Sequence, residues 1–167
     1  MNLSWLRKLL HRKQIHSNKN TGEISRFEIF KSLAPLELEI IERSVYRRRF
    51  KPGERIVNEG DASVCLYLVN SGEVKVYKTI KNEQIELATM AAGSFFGELA
   101  LLKERKRSVT VIAVENTEVL CLFRPDFLDI IKQHPSICAK FLPRFCKTIL
   151  ERINRMHEQI HKLQYDS

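Results

Sequence analysis

The chain has 167 residues, 44% of them hydrophobic and 29% charged, which suits one domain with a real core and modest extensions. Its net charge of +8 fits a solvated basic face or a polyanionic partner, whether nucleic acid, a membrane surface or an anionic ligand. No apolar run approaches the ~20 residues a bilayer-spanning helix needs, which excludes a helical membrane protein.

Leu3, Leu6 and Leu10 recur at helical spacing, with Trp5 and Leu9, among Arg7, Lys8, His11, Arg12 and Lys13. The spacing predicts a basic amphipathic helix over 3–13. Three settings accommodate it: packing on the domain or a second subunit, an anionic membrane surface, or a transit segment. Arg7 and Lys8 interrupt any secretory apolar region, so the cytoplasm is the expected location. Residues 17–22 are polar and turn-rich and form a linker, so 1–24 reads as an N-terminal extension. From Ser25 to about Glu42 a second helical pattern runs through Phe27, Phe30, Leu33, Leu36 and Ile40, and Pro35 divides it into two short helices.

The period then changes. Short runs rich in β-formers follow, centred on Arg55–Val57, Cys65–Val69, Val74–Tyr77, Ile85–Leu87, Val109–Val114 and Val119–Phe123. Turns containing Gly53, Gly60 and Gly72 punctuate the earlier ones. Such spacing predicts a sandwich or barrel. The basic run Arg47–Arg49 falls on a strand and alternates between faces, which fits solvation or a ligand rim better than DNA. Pro125 opens a helix reaching about Gln133, and Pro135 opens another, so 25–134 reads as the barrel with its flanking helices and 135–167 as a long C-terminal helix. On that helix Leu142, Cys146, Ile149, Ile153, Met156, Ile160 and Leu163 alternate at spacings of four and three. This heptad pattern suits a parallel two-stranded coil and hence a homodimer; the bland alternative is packing on the barrel. Pro143 should kink or restart the helix. No helix-turn-helix pattern follows Leu163, so DNA binding is not expected.

Four cysteines, Cys65, Cys121, Cys138 and Cys146, lack C-x-x-C spacing and read as reduced, buried residues. His157-Glu158-Gln159-Ile160-His161 spells the H-E-x-x-H pattern of zinc proteases. Catalytic zinc needs a third protein ligand, which zinc proteases supply downstream, and only six residues follow His161, so no metal and no enzymatic activity are expected.

The chemistry concentrates in Gly93–Leu102 with Arg107-Ser108. Gly97 permits close backbone approach. Glu98 to Leu101 can form one helical turn whose first N–H groups lack partners and attract anions. Arg107 can grip a phosphate with two parallel hydrogen bonds. Glu98 beside a phosphate asks for a neutral partner such as a sugar hydroxyl. A ligand carrying a phosphate close to a ribose satisfies all of these.

Phe96-Gly97-Glu98-Leu99-Ala100-Leu101, followed by Arg107-Ser108-Val109-Thr110-Val111, resembles the phosphate-binding cassette of the cyclic nucleotide-binding domain family. Lys51–Glu54, Gly60-Asp61 and Leu66–Val74 resemble its barrel turns, and the likeness spans roughly 27–163. It implies a mainly β fold with flanking helices: a double-stranded β-helix (jelly-roll) barrel with N-terminal helices and a long C-terminal helix. It further implies a non-catalytic regulatory protein whose ligand is cyclic AMP, with cyclic GMP the alternative, acting on an effector protein. In this family Glu98 would accept from the ribose 2′-hydroxyl, and Arg107 would pair with the cyclic phosphate. Ser108 and the N–H groups of Leu99 and Ala100 would complete the cradle, and Met156 and His157 would lie near the base. Lys106 stands where proline often precedes the arginine. Val109 stands where a small residue is usual, which predicts crowding of the pocket. The rival reading is a scaffold of the same fold that dimerises without nucleotide.

Overall fold

The computed structural model describes residues 22–165, without the side chains at 155, 156, 159, 160 and 162–165. The basic helix expected over 3–13 and most of the linker lie outside the described residues. The chain enters through two 3-10 turns, Ile24–Arg26 and Glu28–Phe30, separated by an extended Phe27. Sequence reading expects an α-helix here. Ile24, Phe27, Ile29 and Phe30 are all fully buried, and these positions do not share one face of a 3.6-residue helix; tight turns broken at Phe27 bring all four inward. α1 spans Pro35–Glu42. Proline opens it, and the Glu37 carboxylate accepts from the Ala34 N–H at 2.8 Å.

Ten strands follow in order with three more helices: β1 (Val45–Phe50), β2 (Arg55–Val57), β3 (Ala62–Ser63), β4 (Cys65–Ser71), β5 (Glu73–Ile80), β6 (Glu83–Ala91), β7 (Phe95–Phe96), α2 (Leu99–Leu102), β8 (Arg105–Lys106), β9 (Thr110–Ala113), β10 (Thr117–Phe123), α3 (Arg124–Gln133) and α4 (Pro135–Tyr165). They form a jelly roll of two four-stranded sheets, ordered β1-β10-β4-β7 and β2-β9-β5-β6, with β3 and β8 paired separately. All pairings are antiparallel.

Two cores lie on opposite faces of the first sheet, and the strand period of two sorts residues between them. On β4, Cys65, Tyr67 and Val69 enter the space between the sheets, while Leu66 and Leu68 face the helices. β10 divides likewise into Val119 and Cys121 against Leu120 and Leu122, and β7 into Phe96 against Phe95. A one-residue slip would exchange every one of these side chains between cores. Strands buried on both faces read as unbroken apolar runs, which is why β4 and β10 stand out in the sequence.

α4 is continuous through Pro143, so the expected restart does not occur. Its Ile137, Phe141 and Phe145 are buried in the helix-facing core, with Leu142 and Ile149 packed against it. Phe141 contacts Phe30, Phe127 and Phe145 at ring-centroid distances of 5.6, 5.5 and 5.0 Å; each buried ring contributes about 1.5–3 kcal/mol. The apolar stripe is therefore split. Leu142 and Ile149 serve the domain itself, whereas Ile153 is 42% exposed and Cys146 is exposed as well; Leu150, beside the stripe, is 58% exposed. The expectation that the cysteines are buried holds for Cys65 and Cys121 but not for Cys146, and Cys138 is only partly covered.

Arg47 and Arg49 reach Glu118, which also accepts from Asn70 Nδ2 at 2.7 Å. Burial opposes ionisation of Glu118, but hydrogen bonds from Arg49 and Asn70 and the Arg47 charge prevail and hold its carboxyl below the usual value. Arg47 also bridges to Glu23, tying β1 to the chain's entry turn.

Candidate functional site

The site is assembled where β7 runs into α2 and β8 runs toward β9. β7 is pinned to β4 through Phe95 and Phe96, opposite Leu68 and Tyr67. Gly97 then takes φ +73°, a left-handed conformation that glycine adopts freely. α2 follows as the single turn expected from the sequence, with Leu101 N–H donating to the Glu98 carbonyl at 3.1 Å. Ala100 N–H donates to the Gly97 carbonyl at 3.1 Å, so one of the two expected cradle donors takes part in the turn.

Arg107 is only 7% exposed. Its Nη2 donates to the Cys65 carbonyl at 2.9 Å and lies 3.9 Å from Cys65 Sγ. Its guanidinium carbon sits 5.1 Å from the centre of the Tyr67 ring, which stacks on Phe96 at 4.9 Å. Nη1 is buried with no hydrogen-bond partner among the described residues. A buried charged donor is costly unless something accepts from it. A Cβ on Gly97 would fall 2.2 Å from this Nη1 and 3.1 Å from the Cys65 carbonyl. Glycine is therefore required so that the backbone and the guanidinium can share this space. The backbone around Arg107 is also fixed: its N–H donates to Asp61 at 2.7 Å, and its carbonyl accepts from Gly60 at 2.9 Å.

Glu98 is partly buried, and its recorded ionic neighbour is Arg152 on α4, at 3.7 Å. Arg152 also donates to the Phe95 carbonyl at 2.7 Å and lies over the Phe95 ring at 4.1 Å. Glu98 and Arg107 thus have separate partners within the fold. Ser108 is exposed, and its carbonyl accepts from Lys78 Nζ at 2.9 Å. Val109 is half-buried and packs on the inter-sheet core, so its branched side chain is absorbed by apolar neighbours. Leu99 is 40% exposed at the start of α2. Arg105 and Lys106 are exposed on β8. His157, Glu158 and His161 are exposed on α4, and the Met156 side chain lies outside the described residues.

Arg107 and Tyr67 line a cavity of about 330 Å³, together with Arg48, Asp61, Cys121 and Phe123. Arg48 reaches it by alternation on β1, opposite in sense to Arg47 and Arg49. Burial pushes the Tyr67 hydroxyl pKa well up. Burial also opposes ionisation of Cys65, but hydrogen bonds from Cys121 and Tyr67 and the Arg107 charge outweigh it and lower its pKa. The hydrogen bond to Cys65 and burial raise that of Cys121. Sequence reading missed Arg152, Tyr67 and Cys65. Arg152 had a signal, since it lies one helical turn before Met156 and so shares its face. Tyr67 and Cys65 had only their place on the inward parity of β4.

Comparison with known proteins follows the same lines. The profile of the cyclic nucleotide-binding domain matches residues 47–134. The chain is 39% identical over 124 residues to the cyclic AMP receptor protein of Thermus thermophilus, covering 74% of this chain and 57% of that protein. It is 36% identical over 107 residues to a cGMP-dependent protein kinase of Plasmodium berghei, covering 64% of this chain but 12% of the kinase. The crystal structure of the Thermus thermophilus catabolite activator protein superposes with a TM-score of 0.71 at 33% identity, over 82% of this chain and 63% of that one. The matched segment is therefore only part of the length of each.

Proposed function

Because the chain belongs to the cyclic nucleotide-binding domain family, we propose that it is a non-catalytic regulatory module that binds a cyclic nucleotide, cyclic AMP in the first instance, at the Gly97–Arg107 site. The observation that carries this reading is Arg107, a buried guanidinium with one unpartnered nitrogen against Gly97. An anionic phosphate oxygen accepts from Nη1, while Nη2 keeps its bond to Cys65. Ser108 contributes its hydroxyl and N–H, and Leu99 offers its backbone N–H at the first turn of α2; the Ala100 N–H joins them only by leaving the Gly97 carbonyl. Glu98 accepts from the ribose 2′-hydroxyl.

Arg152 gives the proposed signal a route. It joins Glu98 and the Phe95 carbonyl to α4, so a ligand that engages Glu98 changes what holds the helix, and α4 closes over the base with Met156 and His157 beside it. Output then passes to a second copy along the exposed face of α4 or to an effector protein. The relatives include one named for cyclic AMP and one for cyclic GMP, so both nucleotides enter the test. Calorimetry should register binding of at least one of them. Arg107→Ala should weaken it about tenfold to a hundredfold, since charge-assisted hydrogen bonds are worth roughly 1.5–3 kcal/mol each. No detectable binding of either nucleotide at millimolar concentration would overturn the reading in favour of a dimerising scaffold.

A further inference from the structure

Cys65 and Cys121 form a buried thiol pair that the proposed nucleotide chemistry does not use. They sit on neighbouring strands in the inter-sheet core, each 1% exposed. In the β4–β10 register Cys65 is opposite Phe123 and Cys121 is opposite Tyr67, so the cysteines are diagonal neighbours on one face. Each thiol shifts the ionisation of the other, so the two side chains interact across the strand pair. Cys65 also joins Arg107 twice, through its carbonyl at 2.9 Å and its sulfur at 3.9 Å. Cys121 lines the 330 Å³ cavity together with Arg107, so a small reagent that enters it meets Cys121 and the guanidinium whose Nη2 lies 3.9 Å from Cys65 Sγ, and a shift of that guanidinium opens the way to Cys65.

We propose that Cys65 and Cys121 are an oxidation site for hydrogen peroxide, and that their disulfide weakens ligand binding by displacing the anchor of Arg107. The Cys65 thiolate attacks the peroxide oxygen, the O–O bond breaks, and Cys65 becomes a sulfenic acid as the first water leaves with a proton. The Cys121 thiol then attacks that sulfur, the S–S bond forms, and the sulfenic oxygen leaves as a second water with the remaining proton. Two thiols lose two electrons and two protons, and the peroxide takes up both. Arg107 supports the first step, because a neighbouring cation favours the thiolate.

The coupling follows from strand geometry. Diagonal cross-strand Cα atoms lie about 7–8 Å apart, whereas a disulfide normally spans roughly 4.4–6.8 Å. Bridging must draw β4 toward β10 at Cys65. The Cys65 carbonyl, which positions Arg107 Nη2, moves with that backbone. A bridge formed under such strain is also readily reduced, as a reversible device requires. By linkage, a ligand that holds Arg107 in its native place opposes oxidation.

The nucleotide arm of the test rests on the proposed function, and the thiol arm does not. The full chain carrying Cys138→Ser and Cys146→Ser is reduced, treated with hydrogen peroxide, and followed by intact mass, peptide mapping and calorimetry with cyclic AMP and cyclic GMP. The expected result is a mass loss of two hydrogens, a Cys65–Cys121 cross-linked peptide, and binding weaker by about tenfold or more, as small displacements at a binding site produce. Dithiothreitol should restore both mass and affinity. Peroxide should not alter the affinity of the Cys121→Ser or Cys121→Ala variants in the same background. Arg107→Ala should slow the cross-linking by about tenfold through the lost thiolate support, a readout that needs no nucleotide. Absence of the cross-link, an unchanged rate in Arg107→Ala, or a cross-linked protein with undiminished affinity would each overturn the proposal. Failure of the reduced protein to bind either nucleotide would overturn the proposed function and with it the weakening of ligand binding, while mass and rate would still judge the oxidation site.

Discussion

Replacing Gly97 with alanine tests the packing of the cradle more sharply than removing Arg107, because it adds one methyl group and deletes no charge. The added Cβ would lie 2.2 Å from Arg107 Nη1 and 3.1 Å from the Cys65 carbonyl. The first distance is not tolerable and the second is tight, and the carbonyl belongs to the paired strand β4, so the guanidinium must move. The residue must also hold φ +73°, which costs an alanine roughly 1–2 kcal/mol. At about 2–4 °C per kcal/mol for a chain of this size, the melting temperature should fall by about 2–8 °C. Moving Arg107 forfeits at least one charge-assisted hydrogen bond to the ligand, worth roughly 1.5–3 kcal/mol, or about tenfold to a hundredfold in affinity. Calorimetry with both nucleotides and a thermal melt, each against wild type, supply the two numbers. Affinity within twofold of wild type in a folded Gly97→Ala protein would refute the argument that Gly97 and Arg107 compete for one space.

Acid should unfold the protein partly through Glu118. Its native pKa is depressed, so its contribution is present above the unfolded value of about 4.3 and disappears as pH falls through the lower native value. Glu118→Gln should therefore narrow the stability gap between pH 6 and pH 3 in thermal melts, and an unchanged gap would argue against this network. Arg152→Ala should loosen α4 from β7, seen as faster amide exchange in α4 around position 152 while Phe141 and its neighbours in the helix-facing core stay protected. Unaltered exchange there would mean that Arg152 does not hold the helix. Leu150→Asp with Ile153→Asp should shift sedimentation from dimer to monomer without lowering the melting temperature of the monomer, because both side chains are exposed in the isolated chain. Wild-type protein that sediments as a monomer would remove the case for a coil.

The parts legible in the sequence were those governed by local rules. β4 and β10 announced themselves as unbroken apolar runs. The Gly97-Glu98 turn and the single-turn α2 were readable because glycine and the following helix formers act over a few residues. Tertiary packing decided the rest. The entry segment looked helical, but Phe27 and Ile29 both had to reach the core, and only 3-10 turns allow that. The stripe on α4 was a true heptad pattern, yet a period cannot say which partner covers it. Phe141 and Phe145 drew the first half onto the helix-facing core, leaving Leu150 and Ile153 outside. Pro143 was expected to kink or restart α4; the helix does not restart there, and packing on both sides of the proline keeps it continuous.

The site shows the same division at closer range. Sequence singled out Glu98 and Arg107 and expected them to meet a ribose and a phosphate, but it did not reach Arg152 and could not assign the contacts each makes within the protein. Arg107 is held by a backbone carbonyl on β4, 42 residues away in sequence, and Glu98 by a guanidinium on α4. Those two anchors lead in different directions. The Arg107 anchor runs inward to Cys65 and its neighbour Cys121, in the space between the sheets. The Glu98 anchor runs outward through Arg152 to the exposed helix face. On the proposed reading, a ligand that bridges Arg107 and Glu98 would touch both the interior of the jelly roll and α4. Local changes in the cradle would then reach α4 through Glu98 and Arg152 and the inter-sheet core through Arg107 and Cys65.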